Sequence, residues 1–86
     1  MNLNTALFWD TDPQKLDYDK HARYIISRVV MFGRWLEWKE VLNYYGRDRI
    51  AEEMKNEREL DIKSVHFLSL VLNVPLNEFK CYINKP

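Results

Sequence analysis

Residues 35–56, WLEWKEVLNYYGRDRIAEEMKN, decide how the rest of this 86-residue chain is read. Trp38, Val41, Leu42 and Tyr45 recur at the three- and four-residue spacing that places side chains on one face of an α-helix. Gly46 then stands where a helix closes in the left-handed conformation that glycine adopts without steric cost. The pattern resumes almost at once. From Asp48 to Asn56, Ile50, Ala51 and Met54 fall on one stripe, while Arg47, Arg49, Glu52, Glu53 and Lys55 face water. Two helices joined by a glycine turn, the second polar on its outer side, set an all-α reading.

Working outward, the same periodicity predicts a first helix from about Asp19 to Phe32. Ala22, Ile25, Ile26 and Val29 form its stripe, Asp17 or Asp19 caps it, and Gly33 ends it. Downstream, Asp61 is placed to cap a helix over residues 62–72. Its Val65, Phe67, Leu68, Leu70, Val71 and Leu72 cover more than one face, which predicts a helix buried at the centre. Asn73, Val74 and Pro75 read as a stop, and Leu76, Phe79 and Ile83 as the stripe of a last short helix. Before all of these, Leu7, Phe8 and Trp9 make an apolar clamp without regular period. Asp12 caps a short turn with Pro13 at its first position. The expectation is a single compact domain, residues 1–86, of about five helices, with residues 1–16 as an arm packed on them.

Composition bounds what such a domain does. Hydrophobic residues make up 47% of the chain and aromatic residues 14%, enough for a core and unlike a disordered segment. Lysine plus arginine and aspartate plus glutamate both number 13, so no net field draws the chain to nucleic acid or anionic lipid. The charges are nonetheless uneven. Asp10, Asp12, Asp17 and Asp19 make the start acidic, and Arg23, Arg28, Arg34, Lys39, Arg47 and Arg49 make the middle basic. The single cysteine, Cys81, excludes an internal disulfide and suits a reducing compartment, so a cytoplasmic location is expected. No apolar run approaches membrane-spanning length, and none at the start resembles a signal peptide.

Catalytic chemistry finds no seat in the sequence. His21, His66 and Cys81 are scattered without zinc-ligand spacing. Cys81 between Lys80 and Tyr82 reads as a packing residue rather than a nucleophile with His66 as its base. The aspartate pairs lack the central glycine and closing glutamate of a calcium loop and serve as helix caps. Two glycines cannot build a phosphate-binding loop. The expected class is a non-catalytic binding protein without cofactor or metal. Its aromatic residues could stack on bases beside Arg34 and Arg47, but their positions on helical stripes favour packing.

The order helix, glycine turn, polar helix is that of a helix-turn-helix. The stretch from Asp61 through Asn73-Val74-Pro75-Leu76-Asn77-Glu78-Phe79 resembles the last part of the five-helix repressor fold of the lambda and Cro type. That resemblance covers about half the chain. It implies a recognition helix with Arg47, Asp48 and Arg49 at its start and Glu52, Lys55 and Asn56 further along, so that Arg47, Asp48, Arg49, Lys55 and Asn56 become candidates to contact double-stranded DNA. Trp38, Lys39 and Glu40 stand where that family places a glutamine and small residues, and Glu52 and Glu53 would repel phosphates.

Leu7-Phe8-Trp9-Asp10, Tyr44-Tyr45-Gly46-Arg47 and Phe79-Lys80-Cys81-Tyr82 together are similar to short proteins typical of Bacteroidetes, often encoded beside nucleotidyltransferase toxins of the AbiEii class. The resemblance runs nearly end to end and implies an antitoxin or accessory partner of such a toxin. Fuller members extend past the Cys81-Tyr82 region, so the expectation is that this chain lacks a tail that engages a partner. Interfaces favour tryptophan, tyrosine and arginine as anchors, which makes Trp9, Trp35, Tyr44 and Arg47 the candidate protein-binding residues. The alternative function is a helix-turn-helix transcriptional regulator, acting as a dimer on two half-sites.

Overall fold

A computed structural model describes residues 3, 5–9 and 11–83. Five α-helices, α1 (Ala22–Phe32), α2 (Trp35–Tyr45), α3 (Arg47–Asn56), α4 (Ile62–Leu72) and α5 (Lys80–Ile83), are joined by short links, with 3-10 turns at Thr5–Phe8, Pro13–Lys15 and Leu76–Glu78. The architecture is an all-α bundle, as the periodicity predicts.

The stripes on the first three helices fall inward, fully for α1 and α3 and in part for α2, whose Leu42 and Tyr45 are half-buried against the core. Ala22, Ile25, Ile26 and Val29 of α1, Trp38 and Val41 of α2, and Ile50, Ala51 and Met54 of α3 are all buried in one core. Burying an aliphatic or aromatic side chain contributes roughly 1.5–3 kcal/mol. Ser27 is buried among them because its hydroxyl donates to the Tyr24 carbonyl at 2.8 Å, within its own helix.

The first helix begins later than its stripe suggests, at Ala22 rather than Asp19. Asp17 caps a tight turn instead: one carboxylate oxygen accepts the backbone N–H groups of Asp19 at 2.9 Å and Lys20 at 3.0 Å. In return the Asp17 N–H donates to Nδ1 of His21 at 3.0 Å. At the other end, Gly33 donates its N–H to the Val29 carbonyl at 2.8 Å. A β-carbon at Gly33 would lie 2.6 Å from that same oxygen, so glycine is required there by close approach.

Gly46 closes α2 and opens α3 in a single residue. Its N–H donates to Leu42 and its carbonyl accepts from Ile50. The conformation has φ +85° and ψ 158°, positive in φ but extended in ψ, so the left-handed helical closure expected from sequence is replaced by another region almost exclusive to glycine. The link is shorter than the three or four residues that usually join a helix-turn-helix pair.

The clearest departure is α4. Val65, Leu68 and Leu72 are buried, whereas Leu70 is 82% exposed and Ile62 and Val71 also lie at the surface. The helix is an outer wall, not a central post. The most buried helix is α1, which packs against α2, α3 and the first 3-10 turn. Asp61 does cap α4, accepting the Ser64 N–H at 2.8 Å. Asn73 ends it in the left-handed region at φ 57° and ψ 48°. The last predicted helix is divided: Phe79 is extended and fully buried between the 3-10 turn and α5. The side chain of Ile83 lies outside what is described.

The arm packs through Leu7 and Phe8, both buried, with the Phe8 ring 5.9 Å from that of Tyr24. Asp12 accepts the Gln14 N–H at 3.0 Å, as its capping role predicts. Asp10 falls outside the described residues.

Candidate protein-binding surface

The outward side of α3 is where DNA would be read. Arg47 is half exposed, but its guanidinium is spread between two internal acceptors, donating Nη2–H to the Leu72 carbonyl and Nη1–H to Asp48 at 3.1 Å. The first of these contacts ties the start of α3 to the end of α4. Arg49 is more heavily engaged. Its guanidinium donates to the Asp19 carboxylate at 3.0 Å, to the Asp19 carbonyl at 2.9 Å and to Glu53 at 3.0 Å. The hydrogen bonds to Asp19 first, then to Glu53, hold Arg49 protonated above its already high range. Lys55 pairs with Glu78 at 3.0 Å, and Asn56 donates to the Glu52 carbonyl of its own helix.

The structure therefore brings Arg47, Asp48, Lys55 and Asn56 onto one rim and turns Arg49 away from it towards Asp19 and Glu53, and each of the five side chains already has a partner. The cleft of about 530 Å³ beside them is bordered by Arg47, Lys55 and Lys80 and, with equal and opposite charge, by Asp48, Glu52 and Glu78. Such a balanced rim has no excess positive charge to displace counterions from a phosphate backbone.

The candidate protein-binding residues fare differently. Trp9 is 64% exposed, Trp35 61% and Tyr44 54%. They form three separate neighbourhoods. Trp9 stands against Phe32 with ring centres 5.3 Å apart, and the Arg28 guanidinium lies 4.2 Å over the Trp9 ring. That contact pins the arm to α1. Tyr44 meets the edges of Tyr18 and Tyr45. Tyr45, whose hydroxyl donates to the Tyr18 carbonyl, is pushed up to about 12 chiefly by burial. Asp17 nearby is held below the usual aspartate value by the N–H groups of Lys20 and Asp19. These contacts fasten residues 17–20 onto α2 and α3.

Trp35 belongs to the third neighbourhood, which the sequence did not single out as a site. It lines a narrow groove of about 160 Å³ between the end of α1, the start of α2 and α4, together with Val29, Val30, Gly33, Arg34, Trp38 and Phe67. Trp38 forms the floor, its ring 5.2 Å from that of Phe67 in an edge-on contact. Leu70 and Val71 continue the α4 wall one turn beyond Phe67, and both are exposed. Leu36, 71% exposed, follows Trp35 on α2. A sequence signal for this face existed: α4 carries seven apolar residues in eleven positions, more than one inward stripe can bury. A larger hollow of about 880 Å³ on the other side of α2 is bordered by Arg34, Glu37, Lys39 and Glu40 as well as Leu3, Leu36 and Leu42, and so has a mixed polar lining.

Among the described residues no three of His, Cys, Asp and Glu come together to hold a metal ion, and no helix is long and apolar enough to cross a membrane. Cys81 is buried in the core, and His66 stands at the surface against the edge of Tyr82. Residues 3–54, more than half the chain and extending from the arm through most of α3, match a family of unknown function, DUF6922. No curated protein and no solved structure matches the chain.

Proposed function

We infer the function of this chain, which belongs to the DUF6922 family, from its surface: it is a non-catalytic protein-binding module that docks a partner against the groove between α2 and α4. One observation carries the reading. Trp35, 61% exposed, lines with Val29, Val30 and Phe67 a groove floored by Trp38, and Leu70, 82% exposed, stands one turn beyond Phe67 on α4; an exposed tryptophan beside an apolar groove is characteristic of interaction sites.

The similarity to short proteins encoded beside nucleotidyltransferase toxins names the partner to test, and with it an antitoxin or accessory role. Co-expression with the product of the adjacent gene, followed by co-purification and a growth assay, is the experiment. The expected result is a stable complex that relieves toxicity and is lost with Trp35→Ser plus Leu70→Ser. A complex indifferent to both changes would place the interface elsewhere. The regulator reading is less well supported, because the arginines it depends on are held by Leu72, Asp19 and Glu53.

A further inference from the structure

We propose that the groove between α2 and α4 takes the apolar stripe of an amphipathic helix whose flanks are acidic. This rests on the protein-binding reading above and names the chemistry of the partner. The groove volume of about 160 Å³ is many times what a single water needs, and its walls are Val30, Trp35, Trp38 and Phe67. An inserted leucine or phenylalanine would therefore meet carbon on several sides. Leu70 and Val71, on the next turn of α4, extend the apolar track along the helix axis. A linear track suits a partner that presents side chains at i, i+3 or i+4 and i+7.

The charge pattern selects the flanks. Among the described residues, Arg34 is the one charged residue lining the groove. Lys63 lies one turn before Phe67 on the exposed side of α4, and that helix, Ile62–Leu72, contains no acidic residue. Two neighbouring carboxylates are already committed. Glu37 is buried and accepts the backbone N–H of Arg34 at 2.9 Å, and Asp61 accepts from Ser64 at 2.8 Å. Neither Arg34 nor Lys63 is in an ion pair with another described residue. A cation lining the groove and a second one turn before Phe67 fit carboxylates on a bound helix and disfavour a basic one.

The test uses the full chain and two labelled helical peptides with the same leucine stripe, one flanked by glutamates and the other by lysines, read by fluorescence anisotropy. The acidic peptide is expected to bind about tenfold more tightly, with the preference shrinking as salt is raised. Arg34→Glu with Lys63→Glu should reverse the preference, and Leu70→Glu should weaken binding of the acidic peptide, circular dichroism confirming that each variant is folded. Equal affinity for the two peptides, no binding of either, or indifference to the charge reversal overturns the proposal. So does sedimentation showing a dimer that Leu70→Glu dissociates, since a second copy would then cover the face. The adjacent gene product separates the two readings. If its complex is lost with Trp35→Ser plus Leu70→Ser yet unchanged by the charge reversal, the groove docks protein and only the acidic flank is wrong. If it survives all four substitutions, both readings fall.

Discussion

Single residues set the joints of this bundle, and the two glycines do so for different reasons. Gly46, at φ +85° with open space where a β-carbon would stand, is needed for backbone conformation. Gly46→Ala should cost about 1–3 kcal/mol, read as a lower midpoint in urea with unchanged slope. At Gly33 the problem is contact with the Val29 backbone rather than strain in φ, so alanine there forces the backbone at the joint between α1 and α2 to shift. Tyr45 offers a titration. Its burial keeps the phenol neutral in the folded chain up to about 12, against 10.0 for an ordinary tyrosine. Because the unfolded chain loses that proton first, the contribution is fully present below pH 10 and is lost as the pH rises towards 12. The ultraviolet absorbance of ionised tyrosine should show one late-titrating group that disappears in Tyr45→Phe. A Tyr45→Phe chain with an unchanged titration curve would refute the assignment.

At the level of elements, which face of α4 points inward is open to a direct comparison. Leu68 is fully buried and Leu70 is 82% exposed on the same helix. Leu68→Ala should cost about 2–5 kcal/mol and Leu70→Ala no more than about 0.5 kcal/mol in chemical unfolding. Similar losses at both positions would restore the central-post arrangement that the sequence suggests. The turn at residues 17–20 is held to α3 by Asp19 and Arg49 at 3.0 Å, with the Asp19 side chain almost wholly in solvent. A double-mutant cycle of Asp19→Ala and Arg49→Ala should give a coupling below about 1 kcal/mol that diminishes with salt. The elements whose inner stripe is clean, α1 to α3, were legible from spacing alone. The start of α1 was not, because Asp17 bonds to Asp19 and Lys20 as readily as an N-cap bonds to a helix, and spacing does not separate the two.

For the whole molecule, the 13 basic and 13 acidic residues cancel, and they cancel locally along the rim of α3 as well. Retention on double-stranded DNA at physiological salt should accordingly be weak, and Arg47→Ala and Arg49→Ala should lower thermal stability rather than alter a gel shift; a tight, arginine-dependent shift would reopen the regulator reading. Trp9, Trp35 and Tyr44 were identified from residue type as surface anchors, and all three are exposed. Their separation into three neighbourhoods, and the place of Phe67, Leu70 and Val71 beside Trp35, were not readable, since they depend on how α2 and α4 lie against α1. By itself the sequence determined that the chain is helical and where α1 to α3 turn inward, because periodicity is a local property. Only the tertiary structure decided that α4 is a wall with a bare apolar side and that the basic residues of α3 are engaged with neighbouring elements. A helix with apolar residues on more than one face has several stripes able to face the core, and long-range packing selects among them.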